Sequence, residues 1–564
     1  MNSSSISNPV IQNPVLKGFN PDPSILRVGE DYYIATSTFE WFPGVQIHHS
    51  RDLVNWCLLT RPLDRQSQLD MVGNPDSGGI WAPCLTYSDG LFHLIYTDVK
   101  YWKRDPYKVA YNYLVTAPDI TGPWSEPVFL NSSGFDPSLF HDDDGRKWLV
   151  NMVWDHRKQN NRFAGILLQE FCPKTQTLIG PVKQIFKGTD RALVEGPHLY
   201  KRDGWYYLLT AEGGTEYAHA ATLARSRQID GPYEVHPQKH LVSSLGHPEI
   251  LLQKAGHGSL VETQHGEWYL AHLCGRPVNG KHCTLGRETA LQKCVWDDDG
   301  WLYLEQGGML PVVQTKGPAG ILPAPFNAPV WNGHFDSPEL DIHFQSLRQP
   351  ITQDWLSLAE RPGFLRLKGN EPTVSLFRQS LIARRVQSFD ISVETTVEFQ
   401  PTTFQQMAGL IAYYDTENHY YLRLSHDETL GRALNIIATD GAASCEILEK
   451  DIAIPATGAV NMRLTLKNAA LRFEYSLPGG NWQIIGPILD GTVLSDDHSH
   501  LGFTGAFVGL CCQDISGLHL HADFPKFVYR EGPRVEAGVN KDKAHAAAPL
   551  LVQSGIPLPI STQA

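Results

Sequence analysis

Up to about residue 310, apolar and polar positions alternate with period two in short runs broken by Gly, Asp and Pro, the pattern of half-buried antiparallel strands. One arrangement recurs five times, a tight turn feeding an aromatic-rich alternating strand. The copies are Gly29-Glu-Asp-Tyr-Tyr-Ile-Ala, Asp89-Gly-Leu-Phe-His-Leu-Ile, Asp144-Gly-Arg-Lys-Trp-Leu-Val, Asp203-Gly-Trp-Tyr-Tyr-Leu-Leu and His265-Gly-Glu-Trp-Tyr-Leu-Ala. Their starts lie 60, 55, 59 and 62 residues apart. In each copy Gly supplies the positive φ that the turn requires. Segments such as Ser50-Arg-Asp-Leu-Val-Asn-Trp and Pro118-Asp-Ile-Thr-Gly-Pro-Trp read as further strands between the copies. A period near 60 residues with about four strands per unit predicts a five-bladed β-propeller, closed radially so that few sheet edges stay open. On the repeat alone, a β-sandwich with five similar hairpins is the competing reading.

The repeats end before a Pro-rich segment, Gly317-Pro-Ala-Gly-Ile-Leu-Pro-Ala-Pro-Phe, which cannot enter a sheet interior. Beyond it, Ser392-Val-Glu-Thr-Thr-Val-Glu-Phe, His419-Tyr-Tyr-Leu-Arg-Leu and Asn461-Met-Arg-Leu-Thr-Leu again alternate with period two. The expected organisation is therefore all-β: a five-bladed propeller over residues 13–318, then a β-sandwich over residues 330–532. Residues 533–564 lose all periodicity and are expected to be mobile, as are residues 1–12.

Composition narrows the function classes. The 14 Trp, 21 Tyr, 48 Gly and 38 Pro suit a turn-rich β protein. A net charge of -13 with acids and bases interspersed excludes a nucleic-acid partner, which would need a concentrated basic face. A small neutral substrate fits better. Nine scattered cysteines read as buried thiols in a reducing compartment rather than as a disulfide framework or zinc site. With no basic stretch leading into an apolar run, and no membrane-length apolar stretch, a cytoplasmic location without membrane attachment is expected.

Ten to twelve residues before the first strand aromatic of each copy stands a chemically pointed residue: Asp22, Trp81, Asp136, Glu195 and His257. If the segments that carry them are the innermost strands, equal register places all five at one end of the central channel. Small or rigid neighbours, Asp22-Pro-Ser, Asp136-Pro-Ser and Glu195-Gly-Pro, let strands crowd near an axis. Each motif alone also reads as turn chemistry, but three carboxyl groups in matched register favour a site, since gathering them costs repulsion and desolvation. Asp22 and Glu195 belong to non-adjacent blades and would face each other across a pocket. A carboxyl pair set roughly 6.5 to 9.5 Å apart can protonate an acetal's leaving oxygen while activating a water on the opposite face. Asp136 would then raise the proton affinity of the acid.

Together Asn20-Pro-Asp-Pro-Ser, Phe135-Asp-Pro-Ser, Glu195-Gly-Pro-His, Trp81-Ala-Pro, Gly256-His-Gly, Leu285-Gly-Arg-Glu-Thr-Ala and Thr504-Gly-Ala-Phe-Val-Gly resemble glycoside hydrolase family 43, in particular its two-domain β-xylosidases. The likeness implies an inverting exo-glycosidase that takes xylose from the non-reducing end of short xylo-oligosaccharides, with α-L-arabinofuranosidase activity as a second capacity. It implies Asp22 as general base, Glu195 as general acid and Asp136 as the residue that tunes that acid. It assigns Arg287 to the terminal sugar, Phe39, Trp81 and Phe507 to apolar walls, with Phe507 reaching in from the second domain, and Thr215 to a pocket contact. No organic cofactor is implied, and a homo-oligomer is the habit of similar proteins. His257 in such proteins either hydrogen-bonds within the pocket or helps to hold a hydrated calcium. A lone His is a poor ligand for a hard cation, so the structural reading is preferred and no metal is assigned. Asp142-Asp-Asp-Gly and Asp297-Asp-Asp read as solvated turns. A dedicated arabinofuranosidase and a non-catalytic sugar-binding protein are the alternatives, and the three carboxyl residues speak against the second.

Overall fold

The computed structural model describes residues 9–103, 106–326 and 331–532. The expected mobility of residues 533–564 and 1–8, and the expected start of the second domain at residue 330, lie outside the described residues. Among the described residues, five four-stranded antiparallel sheets follow one another along the chain. Their first strands are Ser24–Val28, Gly79–Ser88, Ser138–His141, Glu195–Arg202 and Gln253–Glu262. Each touches the next, and the fifth touches the first, so the sheets close into a ring around an axis. The five repeated segments form the second strands: Asp31–Thr36, Leu91–Tyr101, Lys147–Trp154, Trp205–Glu212 and Trp268–Gly275. The turns that feed them are as the repeat requires: Asp89 and Gly90 have φ of 57° and 78°, and Asp203 and Gly204 have 51° and 72°, both left-handed pairs.

The mobility expected for residues 9–12 is corrected. Val10–Gln12 pairs antiparallel with Gln314–Lys316, which ties the start of the propeller to the chain leaving it. Ile11 is fully buried, and the Asn13 side chain donates to Leu291 O and Val312 O while accepting from Leu291 N. Three residues are too few to show a period, so this strand left no pattern to read.

The second domain faces a nine-stranded sheet, with Gln406–Asp415 and Phe507–Asp514 at its centre, against a five-stranded sheet built on Asp390–Val397 and Val460–Lys467. Leu410, Leu422, Val393, Leu464 and Phe473 fill the space between. The nine-stranded sheet does not stop at the domain edge. Its last strand is Trp41–Phe42, two residues of the propeller's first blade, paired with Gln345–Leu347 through Ser346↔Phe42 and Leu347↔Trp41. Trp41 is fully buried and stacks on Phe507 with ring centroids 3.7 Å apart. One apolar cluster thus runs from Phe19, Phe39 and Trp81 of the propeller into Leu381, Ile411 and Phe507 of the sandwich. Each such side chain removed from water contributes about 1.5–3 kcal/mol, so the joint is held like a core and not like a hinge.

All nine cysteines are unbridged. Six are buried, as expected, whereas Cys445 is exposed and Cys57 and Cys172 are half-buried. Asp142 also departs from expectation: it is buried, accepting from Lys201 Nζ at 2.6 Å and the Tyr206 hydroxyl at 2.8 Å, because the next blade covers its turn. The turn at Asp297 is exposed.

Candidate active site

At one end of the ring the inner strands leave regular geometry. Asp22 and Asp136 have φ of 55° and 54°, His257 has 37°, and the residue after Glu195, Gly196, has 56°. Ladder register slips between Trp81 and Cys84, between Glu195 and His198, and between Gln253 and Gly258. A left-handed residue costs a non-glycine of order 1–3 kcal/mol and persists where packing over-determines it; Asp bears it better than most. The requirement for glycine after Glu195 is steric, since a Cβ on Gly196 would come within 2.9 Å of the His257 ring. These departures bring Asp22, Asp136, Glu195 and His257 together on a single cavity of about 340 Å³, in the range of small-ligand sites.

The cavity carries a graded electrostatic environment. Asp22 Oδ1 accepts from Arg287 Nη1 at 2.9 Å and Oδ2 from the Ser37 hydroxyl at 2.7 Å. Asp136 Oδ2 accepts the Gly196 N–H at 3.1 Å. Burial, then the charge of Asp22, pushes Glu195 up to about 8, against the pull of Arg287 and Lys108. Asp136 is also raised, by burial first and then by Glu195 and Asp22. Among these carboxyls a proton is therefore retained near neutrality, next to one carboxylate paired with a guanidinium. Arg287 is itself buried; its Nη2 donates to Phe503 O at 3.1 Å, and its Nε has no hydrogen-bond partner among the described residues.

Burial lowers the pKa of His257, although Asp22 opposes this, and its Nδ1 stands 3.7 Å from Asp22 Oδ1. Asp22 is already engaged by Arg287 and Ser37, and among the described residues no three His, Cys, Asp or Glu side chains gather as a metal would need. The protein donors beside His257 are thus a single imidazole and a carboxylate already engaged, few of the oxygens a calcium ion takes.

The walls are aromatic. Phe39, Trp81, Trp102, Phe135, Trp154 and Phe503 line the cavity; Trp81 meets Phe135 edge-on at 5.1 Å, and Lys108 Nζ lies 4.5 Å from the Trp154 ring. Two indole N–H groups are tied to one short segment: Trp81 donates to Ser77 O at 2.8 Å and Trp102 to Asp76 O at 3.0 Å. The same segment accepts Phe503 N on Ser77 Oγ at 3.0 Å. Ser77 N donates to Glu40 Oε2 at 3.0 Å, and Arg348 of the sandwich pairs with Asp76 at 2.6 Å. With their polar edges committed there, these rings have only apolar surface left for the cavity, as the face of a sugar ring calls for.

Of the residues singled out in the sequence, Asp22, Asp136, Glu195, Arg287, Trp81, Phe39, His257 and Thr215 all line this cavity, Thr215 beside Gly213, Gly214 and Glu216. Phe507 does not, and that expectation is corrected. It begins a central sandwich strand, is fully buried and lies flat on Trp41, so it supports the joint between domains. The aromatic that the second domain brings to the cavity is Phe503, four positions earlier in irregular chain. Trp102, Lys108, Trp154 and Phe163 were also missed. A signal existed for two of them: Trp154 ends the second strand of blade three and Trp102 directly follows that of blade two, an equivalence visible in the repeat.

Comparison with known proteins agrees with this geometry. Residues 11–302 match the model of the glycosyl hydrolases family 43, and residues 332–530 match the β-xylosidase C-terminal concanavalin A-like domain. The chain belongs to glycosyl hydrolase family 43. This family-43 chain is 53% identical to xylosidase/arabinosidase 43B of Humicola insolens, over 93% of its length and 98% of the relative's. It is likewise 53% identical to a β-xylosidase of Bacillus subtilis, covering 92% of this chain and 99% of that one. The crystal structure of a xylan β-1,4-xylosidase from Bacillus halodurans superposes with a TM-score of 0.91 at 59% identity, over 92% of this chain and 100% of that one. The protein is thus a glycoside hydrolase with a propeller and a sandwich domain, as the motifs implied.

Proposed function

We propose that the family-43 protein is an inverting exo-β-xylosidase that releases xylose from the non-reducing end of short xylo-oligosaccharides. In this reading Asp22 is the general base. Both its oxygens act as acceptors, the state in which a carboxylate can take a proton from water. Glu195 is the general acid, and its proton passes to the glycosidic oxygen as the bond to the leaving sugar breaks. Asp136 tunes the acid by position, holding the Glu195 segment through the Gly196 N–H, while burial and the charge of Asp22 keep the proton on Glu195. Arg287 balances Asp22 and offers donors to the sugar hydroxyls, with Trp81, Phe39 and Phe503 against the ring faces.

The observation that carries this reading is the elevated proton affinity of Glu195 in the same cavity as a guanidinium-paired Asp22. The decisive experiment is proton NMR of xylose freshly released from methyl β-xyloside, whose leaving group has no anomeric carbon of its own. Inversion delivers the α-anomer first, and early β-anomer overturns it. Glu195→Gln should abolish this turnover, whereas equal background from both chains would favour sugar binding without catalysis. A second capacity, on α-L-arabinofuranosides, is favoured by the xylosidase/arabinosidase relative. Rates on the two nitrophenyl pentosides weigh it, and a large excess on the arabinoside reverses the preference.

A further inference from the structure

A second cavity, of about 550 Å³, lies between the first blade and the sandwich, behind the strand entry to Asp22. Its lining carries Lys17, Arg61, Arg384 and Arg385 with His48 and His343, against a single carboxylate, Asp341. That carboxylate is taken by its neighbour, since Asp341 Oδ1 accepts from His343 N at 2.9 Å and lies 2.8 Å from His343 Nδ1. Among the described residues, no carboxylate comes within ion-pair distance, 4.0 Å, of Lys17 or of the three arginines. The arginines are nonetheless 91% buried or more: Arg61 and Arg384 are 9% exposed and Arg385 is 5% exposed.

Their hydrogen bonds go to neutral groups. Arg61 donates to Gln46 Oε1 and Ile342 O, Arg385 to Phe19 O at 2.7 Å and to Gln345 Oε1, and Arg384 to Gln387 Oε1 at 3.3 Å. Arg384 Nε, Arg385 Nη2 and His48 Nδ1 have no partner among the described residues. Burial pushes Arg61 down to about 9 against the pull of Asp341, and burial with the charge of Arg61 pushes Arg385 well below its ordinary value. Asp341 pulls on Arg61 and Arg384 from beyond ion-pair distance, and Arg384 lies 4.0 Å from the Tyr529 ring, but three guanidinium groups concentrated at a buried site around one carboxylate of the lining remain unfavourable unless a further anion completes them.

We propose that this cavity is a binding site for a small multivalent oxyanion of phosphate or polycarboxylate chemistry, held by Arg61, Arg384 and Arg385. Guanidinium forks match such oxygens in pairs, and the cavity has room for an organic anion as well as an inorganic one. The site is joined to the catalytic end of the first blade: Gln46 accepts from Arg61 Nε at 3.0 Å and donates to Asn20 Oδ1 at 2.9 Å, two residues before Asp22. An occupant would therefore press on the segment that carries the proposed base.

The test is isothermal titration calorimetry of the full chain with inorganic phosphate and with citrate, at fixed ionic strength and with chloride as the control. Saturable one-to-one binding of either, with a dissociation constant below roughly 10 mM, is expected, and the tighter of the two identifies the chemistry. Heat no different from the chloride control for both anions overturns the proposal. Arg384→Gln and, separately, Arg61→Gln should each weaken binding about tenfold or more, while Arg287→Gln in the catalytic cavity should not. Loss of binding in Arg287→Gln with retention in both other variants would place the anion in the wrong cavity and refute the assignment.

Discussion

Replacing Glu195 by Gln should destroy hydrolysis and at the same time stabilise the protein, with a gain that depends on pH in a defined direction. The folded-state pKa of Glu195, about 8, lies above its ordinary value of 4.5. A group raised in this way contributes most to the folded state below pH 4.5, and that contribution falls away as pH rises through about 8. Between those limits the unfolded chain releases the proton and the folded chain keeps it. At pH 7 the linkage costs the wild type about 3 kcal/mol, and at pH 5 under about 1 kcal/mol. Glutamine keeps the shape and loses the titration. Unfolding entropy for the 518 described residues is about 1.1 kcal/mol/K, so the variant should melt roughly 3 °C higher at pH 7 and less than about 1 °C higher at pH 5. Paired thermal melts at the two pH values measure this directly. A variant that melts at or below the wild type at pH 7, or with the same gap at both pH values, would refute the claim that burial and Asp22 hold a proton on Glu195.

Four further outcomes follow from the same geometry. The kcat/KM of the wild type on xylobiose should fall as pH rises through about 8, when the acid of the free enzyme loses its proton, and a pH-rate profile checks this. Phe503→Ala removes one wall and should raise KM roughly tenfold with a smaller change in kcat, measured by steady-state kinetics on xylobiose. Arg348→Met removes one of two cations from buried Asp76, which keeps Lys103 Nζ at 3.6 Å and the Thr416 hydroxyl, so a loss of up to about 3 kcal/mol in denaturant unfolding is expected. Trp41→Ala empties the joint between the domains and should cost about 3–5 kcal/mol in the same measurement, with activity kept in the fraction that remains folded.

The propeller was readable because its signal is redundant: five hairpins in one register, each with an aromatic strand and a turn glycine, survive the ambiguity of any single copy. The three carboxyl residues were readable for the same reason, since equal offset from a repeated strand becomes equal height around an axis. What escaped lacked repetition. Phe503 sits in irregular chain, where no period fixes which side chain faces the cavity, and Phe507 was assigned only through the motif Thr504-Gly-Ala-Phe-Val-Gly that carries the family resemblance. Val10–Gln12 finds its partner about three hundred positions away, a pairing no local pattern announces. The cation cluster behind blade one was invisible too, because Arg61 and Arg385 meet only once the two domains dock.

That docking bears on how such proteins can be recombined. Trp41–Phe42 departs from the first blade to extend the sandwich sheet, while Phe503 and Arg348 come back to shape and brace the catalytic chamber. A cut at the Pro-rich connection would yield two fragments, each missing a piece stored in the other. Chimeras among relatives should inherit residues 39–42, 76–77, 345–348 and 503–507 from one parent as a block, and those that split the block should express as aggregates even when every blade is intact.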